Sequence, residues 1–389
     1  MNARTQPRVT TAGRRLPFEC IALVLQGGGA LGAYQAGVYE ALAEAGIEPD
    51  WLAGISIGAI NAAIIAGNPP KQRAERLREF WTRITTDGFG PGSGYPDFSI
   101  RGDAMRSAFN RMSAGFSLWR GAKGFFHARP LAPWMEPAGT PEATSFYDTD
   151  SLKRTLERLV DFDRINEGAT RFSVGAVNVR TGNFVCFDTS THTIRPEHVL
   201  ASGALPPGFP AIEIEGEHYW DGGIVSNTPL QWVVNGRTRR DTLAFQVDLW
   251  NAQGEAPRDM LEVITREKEI RYSSRTRAST NQFKHNQTLR HAVADLLEKL
   301  PEHLKNTPEA RLLDTIADRK VYSIVQLVYR AKNYEGESKD YEFSRASMEE
   351  HWRAGYYDAL RTLRHPEVLA RPTNHEGFSA FDFDVDGRE

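Results

Sequence analysis

Residues 21–67 read IALVLQGGGALGAYQAGVYEALAEAGIEPDWLAGISIGAINAAIIAG. Apolar residues on both faces of 21–25 predict a central parallel strand. Leu31, Gln35, Val38, Leu42 and Ala45 follow at helical spacing, and Gly46 stops that helix. A second strand then runs into a helix of small residues. The stretch is therefore strand, Gly-rich turn, helix, strand, sharp turn, helix, and each turn carries a chemical pattern. The second turn, Gly54-Ile55-Ser56-Ile57-Gly58, is a G-x-S-x-G with its serine between strand and helix. Glycine at 54 and 58 relieves the crowding of a chain that reverses abruptly. Ser56 then stands at a helix N-terminus, where the helix dipole favours developing negative charge.

The first turn, Gly27-Gly28-Gly29-Ala30-Leu31-Gly32, has two readings. Glycines 27 to 29 can direct backbone N–H groups toward one point, as an oxyanion hole requires, and one such donor is worth about 2.7–4 kcal/mol in the transition state. Gly27, Gly29 and Gly32 equally satisfy the G-x-G-x-x-G of a phosphate cradle, with Asp50 lying 18 residues beyond Gly32, near the place of a ribose-binding acid. A non-hydrolytic nucleotide-binding module is therefore the alternative class. The serine turn one βαβ step later favours acyl chemistry, because a nucleotide site needs no serine there.

With 389 residues, 40% hydrophobic and 25% charged, the chain can bury a large core, and a net charge of −3 gives no bulk attraction to nucleic acid. Cys20 and Cys186 are too few for a disulfide framework. They are expected as buried free thiols, which suits a reducing, cytoplasmic compartment. No run approaches the ~20 apolar residues of a membrane span. Arg14 and Arg15 precede an apolar run that breaks at the glycines after Leu25, which argues against an export signal. Neither an H-E-x-x-H nor a Cys/His cluster is present, so no metal or cofactor is expected.

Along the chain, residues 1–17 lack periodicity and are expected as a disordered tail, followed by a catalytic domain over 18–250. Within it, 85–144 is rich in Gly, Pro and aromatics and is expected as a structureless, lid-like insertion. There Phe116, Trp119, Phe125, Phe126, Trp134 and Met135 interleave with Arg111, Arg120, Lys123 and Arg129. Two readings fit: a membrane-touching surface over 109–135, or a hydrophobic cluster pinning the insertion to the core. Asp150 is expected to cap a helix. Residues 171–180 and 183–190 are expected to form a hairpin through Thr181 and Gly182. A further hairpin about Glu215 and Gly216 ends at Asp221-Gly222-Gly223.

Residues 251–389 are expected as a C-terminal extension packed on the same domain. Its helical 258–300 region should turn Leu289, Val293, Leu296 and Leu300 to the core. The basic run 266–290 is a second candidate for peripheral contact with anionic headgroups. VYSIVQLVYR at 321–330 reads as a buried strand. A helix from Ser347 carries a capping-box Glu350 and a stripe of Met348, Trp352, Tyr356, Ala359 and Leu363.

Taken together and in this order, GGGALG at 27–32, GISIG at 54–58 and DGG at 221–223, with ASGALPPGFP at 201–210, resemble the patatin-like phospholipase family over roughly residues 18–250. The resemblance implies an α/β fold with a mainly parallel sheet flanked by helices. By matching position it makes Ser56 the nucleophile, Asp221 its base and Gly27, Gly28 and Gly29 the oxyanion hole, with Gly32, Gly54, Gly58, Gly222 and Gly223 as motif glycines. Many members carry Arg or Lys where this chain has Leu31. The implied activity is a phospholipase A-type serine esterase acting on glycerophospholipids through an acyl-enzyme. An esterase for an intracellular polyester or an acyl thioester is the alternative at the same site. A free carboxylate of pKa about 3.9 is a poor base for a hydroxyl, so burial must raise Asp221. His218 sits at an odd offset from Asp221 on one strand and points to the other face. His127, His192 and His198 are expected on surface loops.

Overall fold

Apolar residues alternate across the first strand, Leu23 and Leu25 to one side and Ala22 and Val24 to the other, and the two sides enter separate hydrophobic cores. The computed structural model describes residues 16–85, 102–235, 239–273, 276–332 and 334–383. Residues 1–15 of the expected tail and 86–101 of the expected insertion lie outside them.

The strands are β1 (Cys20–Leu25), β2 (Trp51–Gly54), β3 (His127–Ala128), β4 (Tyr147–Asp148), β5 (Arg171–Asn178), β6 (Phe184–Asp188), β7 (Ile212–Ile214), β8 (Glu217–Asp221), β9 (Thr242–Asp248), β10 (Tyr322–Val328) and β11 (Phe378–Asp382). One sheet has the order β11-β10-β9-β1-β2-β5-β8-β7, with β6 also on β5, while β3 and β4 form a small ribbon. From β11 to β5 the neighbours are parallel, and β6, β8 and β7 add antiparallel pairs at one end. This is the mainly parallel α/β sheet that the sequence implied. The hairpin at Glu215 and Gly216 has both residues at positive φ, 53° and 81°, as a two-residue turn requires.

Register on β5 brings the two motif turns together. Val174 pairs with Gly54 of β2 and Phe187 of β6, while Ala176 pairs with Val185 of β6 and Asp221 of β8. Strand β6 thus holds one edge of β5, and β2 and β8 share the other end to end. The turn after Gly54 and the end of β8 therefore meet.

Helices cover both faces. α1 (Ala33–Glu44) and α2 (Ile57–Ala66) follow the two motif turns, and α3 (Pro70–Ile84) packs beside them. The C-terminal residues belong to the same architecture: β10 and β11 extend the sheet, and the Arg345–Leu363 helix lies along α1. The two backbones almost touch, since a Cβ on Gly355 would lie 2.0 Å from the Tyr34 carbonyl oxygen and one on Gly37 would lie 1.9 Å from that of Trp352. Met348, Trp352, Ala359 and Leu363 are buried on that contact.

Several local expectations are corrected. The insertion is not structureless, because α4 (Asp103–Arg120) is an 18-residue helix. Thr149 takes the cap position before the Asp150–Leu159 helix, and Asp150 is its first residue, its N–H bonded to the Asp148 carboxylate at 2.9 Å. Ser344, not Ser347, caps the last long helix, its side chain accepting the Ser347 N–H at 3.2 Å. Leu289 and Leu296 are exposed. The Thr276–Lys299 helix instead buries Phe283, Gln287 and Ala294. Phe283 packs between Tyr322 and Phe378 at 5.1 and 5.6 Å, and Gln287 donates to the Lys320 carbonyl at 2.9 Å. Cys20 is buried and Cys186 half-buried, both free, and burial pushes their thiols up to about 11 and about 12.

Gly355→Ala and Gly115→Ala should act in opposite directions. The first forces a methyl into backbone and should cost about 1–3 kcal/mol or more. The second meets nothing within 4 Å on α4 and should gain about 0.5–1 kcal/mol. Urea unfolding of both variants checks the close helix crossing, which a neutral Gly355→Ala would refute.

Candidate active site

Strand β2 runs straight into the sharpest turn of the chain. Ser56 has φ 54° and ψ −123°, a conformation that costs a non-glycine residue about 1–3 kcal/mol and persists only where neighbours hold it. Those neighbours are visible. The Ser56 N–H donates to the carbonyl and hydroxyl oxygens of Ser202 at 3.1 and 3.0 Å. A Cβ on Gly54 would fall 2.4 Å from the Gly58 carbonyl oxygen, and one on Gly58 would fall 2.3 Å from that of Leu25. Both motif glycines therefore answer to backbone contact.

Asp221 ends β8, is buried, and lines the same cavity as Ser56. Its Oδ1 accepts the Gly223 N–H at 2.7 Å. Burial raises its pKa from 3.8 to about 7, while the nearby Ser56 hydroxyl and the Gly223 N–H favour the ionised form and pull it partway back. The Ala204 carbonyl takes the Asp221 N–H at 3.0 Å, so residues 202–204 tie down both the serine turn and the aspartate strand. That segment lies at the start of ASGALPPGFP.

The glycine turn is held from outside. The Gly27 N–H donates to Asn227 Oδ1 at 3.2 Å, and Asn227 Nδ2 donates to the carbonyls of Gly27 at 3.0 Å and Tyr272 at 2.8 Å. Trp250 Nε1 adds a bond to the Gly27 carbonyl at 2.9 Å. Gly29 adopts φ +55°, and a Cβ there would lie 2.1 Å from the Asp340 carbonyl oxygen, which accepts the Ala30 N–H at 2.8 Å. The Gly27 donor is thus already engaged, contrary to the expectation that all three glycines present free N–H groups. Those of Gly28 and Gly29 take no partner among the described residues.

Gly27, Gly28, Gly29, Ser56, Asp221 and Gly223 line one cavity of about 290 Å³. Its remaining wall is largely apolar: Ile57, Ile60, Phe125, Phe126, Phe209 and Phe343. Phe125 and Phe126, open in the sequence to a membrane-touching or a core-pinning reading, are buried and form part of this wall. Gly32, Gly54, Gly58 and Gly222 act one layer back. A Cβ on Gly32 would strike Ile57 at 2.5 Å, and one on Gly222 would strike the Gly175 carbonyl oxygen at 2.6 Å.

None of His127, His192, His198 and His218 lines the cavity. His198 is buried rather than on a surface loop; its Nδ1 accepts the Arg195 N–H at 2.9 Å and its ring lies 4.7 Å from Phe187, and burial lowers its pKa. Asp50 is also elsewhere. It precedes β2, at the opposite end of the sheet from the glycine turn, where its carboxylate accepts the Ile21 N–H at 2.8 Å. The acid that a phosphate-cradle reading requires is therefore not beside the glycines.

Asn227, Ser202, Trp250, Tyr272 and Asp340 had no signal in spacing, because their partners lie far away along the chain. Within the basic run 266–290, Arg266, Lys268, Arg271 and Lys284 pair with Glu269, Asp340, Glu267 and Glu376. No described helix is long and apolar enough to cross a membrane.

A family model described as patatin-like phospholipase matches residues 23–234, more than half of the chain, and one described as patatin phospholipase matches 270–375. The chain belongs to the patatin-like phospholipase family. It is 55% identical over 53 residues to lysophospholipase nte1 of Aspergillus terreus, covering 14% of this chain and 4% of that protein. It is 38% identical over 100 residues to human patatin-like phospholipase domain-containing protein 6, covering 25% and 7%. The chain thus spans under a tenth of the length of these relatives. The crystal structure of VipD from Legionella pneumophila is similar at a TM-score of 0.40 and 17% identity, over 94% of this chain and 72% of that one. Family and relatives' names support lipid hydrolase activity.

Replacing Asn227 by Ala should leave the Gly27 N–H without a partner, at about 1–3 kcal/mol, while the Gly27 and Tyr272 carbonyls keep Trp250 Nε1 and Gln26 Nε2. Urea denaturation should show a loss of that size. An unchanged midpoint would mean that the glycine turn supports itself.

Proposed function

We propose that the chain is a lipid acyl hydrolase that cleaves acyl esters of glycerophospholipids through an acyl-enzyme on Ser56. The single observation that carries this reading is the strained Ser56 and the buried Asp221, its pKa raised to about 7, facing one cavity with apolar walls beside two unengaged backbone donors. A carboxylate at that pKa is matched to general-base work near neutrality.

The steps follow from the geometry. Ser56 Oγ attacks the ester carbonyl carbon as its proton passes to an Asp221 carboxylate oxygen. The resulting oxyanion receives the N–H groups of Gly28 and Gly29, with Gly27 as the anchored base of that turn. Collapse breaks the bond to the glycerol oxygen, Asp221 returns the proton to it, and the deacylated lipid leaves. Water then gives a proton to Asp221 and attacks the acyl-Ser56 carbonyl; collapse breaks the bond to Ser56 Oγ, Asp221 returns the proton to that oxygen, and the fatty acid leaves. The apolar wall receives the acyl chain, and peripheral contact with a membrane supplies the substrate.

Ser56→Ala should abolish hydrolysis of a chromogenic short-chain ester and labelling by a fluorophosphonate, with circular dichroism unchanged. Asp221→Asn should lower kcat/KM by about 10²–10⁴, and glutamine at His127, His192 or His218 should cost less than that. A histidine whose loss matched Asp221 would sink the dyad.

The pH dependence has a fixed sign. Only ionised Asp221 accepts the serine proton, so kcat/KM should rise about tenfold per pH unit and level off above about 7. The folded chain holds this proton up to about pH 7, whereas the unfolded chain releases it near 3.8. Stability contributed by this group is therefore present below 3.8 and lost as pH rises through 7. Asp221→Asn should accordingly raise Tm at pH 8 more than at pH 4, and the opposite order would mean that the carboxylate is not destabilised by burial.

A further inference from the structure

Helix α4 wears its polar side inward. Asn110, Ser113 and Ser117 are buried, while Met105, Met112 and Trp119, spaced by seven, are exposed at 58, 57 and 75%. A surface helix of a globular protein ordinarily shows the reverse order. The inward face is not a packing accident, since the Ser113 hydroxyl donates to the buried Glu342 carboxylate at 2.5 Å. Among the described residues, nothing covers the stripe of Met105, Met112 and Trp119.

That stripe joins the cavity entrance. Leu118 lines the cavity and is 41% exposed, and its carbonyl takes the Tyr147 hydroxyl at 3.0 Å. Beside Tyr147 stands exposed Phe146, whose ring meets Trp134 edge-on at 6.2 Å, and Trp134 is 78% exposed. Arg111, Arg120 and Lys123 are exposed on the same stretch and form no ion pair among the described residues.

We propose that the α4 stripe and Trp134 seat on an anionic lipid bilayer, with Arg111, Arg120 and Lys123 against its headgroups, so that the cavity opens toward the acyl chains. The proposal rests on the acyl-hydrolase reading for its purpose, though not for the docking itself. Apolar side chains flanked by cations are what an anionic interface binds. A second copy of the chain is the weaker occupant, because a symmetric pair would set these cations against themselves and close both entrances.

The test uses the full chain carrying Ser56→Ala, so that vesicles are not consumed, with vesicles of phosphatidylcholine and phosphatidylglycerol. Adding Met112→Gln and Trp119→Gln should weaken co-sedimentation by roughly tenfold or more. Adding Arg111→Gln, Arg120→Gln and Lys123→Gln instead should abolish the preference for anionic over pure phosphatidylcholine vesicles, and with it the salt dependence. In the chain with Ser56 intact, the Met112 and Trp119 changes should leave turnover of a soluble short-chain ester unaltered. Vesicle binding that is absent in the parent, or unmoved by the apolar pair, overturns the proposal. So does light scattering that shows a dimer which the apolar pair converts to monomer. If no ester is turned over but vesicle binding is still lost in the variant, the hydrolase reading fails and the docking face stands.

Discussion

The Asp221 carboxylate, in the same cavity as Ser56, is almost wholly out of water, and a carboxylate so placed resists ionisation until about pH 7. The fold bears that burial for one arrangement only: strand β8 must end where β2 ends. Strand β5 arranges this by carrying both along the same edge, so the hairpin at Glu215 and Gly216 turns β8 back toward the serine turn. Residues 202–204 then lock the meeting point, with one carbonyl on each side. The strained serine and the raised carboxyl are local costs, borne by a sheet whose buried strands contribute about 1.5–3 kcal/mol for each fully buried large apolar side chain.

The C-terminal third enters the same site through backbone groups. The Asp340 carbonyl grips the glycine turn directly, and the Tyr272 carbonyl holds it through Asn227. The Asp340 segment is itself braced. Asp340 is held by Lys268 at 2.5 Å, and the neighbouring Lys339 by Glu269 at 2.5 Å. Behind them Glu335 accepts the Tyr329 hydroxyl at 2.6 Å and faces His351 at 3.2 Å in a buried cluster. Buried charges of this kind contribute little net stability but penalise any rearrangement that separates them. The result is a rigid support for two peptide N–H groups, and preorganised donors are effective because they need not reorient during reaction.

Helix α4 faces both ways in this economy. Inward it presents small and polar side chains that leave room for the aromatic cavity wall and bond the C-terminal segment through Ser113. Outward it exposes methionine and tryptophan, which water disfavours. Phe125 and Phe126 follow directly and turn inward to the cavity. One short stretch of aromatic sequence is thus divided between wall and surface.

The turns of this protein were legible in the order of its residues because they obey local sterics. A strand that reverses into a helix admits little besides glycine at 54 and 58, and the alternation of apolar residues in β1 and β10 follows from a period of two. The mainly parallel sheet was reachable by a different route, through the family that the three turns resemble, and the proposed pairing of Ser56 with Asp221 comes from the same resemblance. Other features were decided only when distant segments met. Gly27 reads as a free donor until Asn227, 200 residues away, takes its N–H. Leu289 and Phe283 are both plausible core residues until Tyr322 and Phe378 close around one of them. The inversion of α4 depends likewise on Glu342, 229 positions from Ser113. Periodicity records which side chains avoid water, but not which partner far along the chain will shelter them.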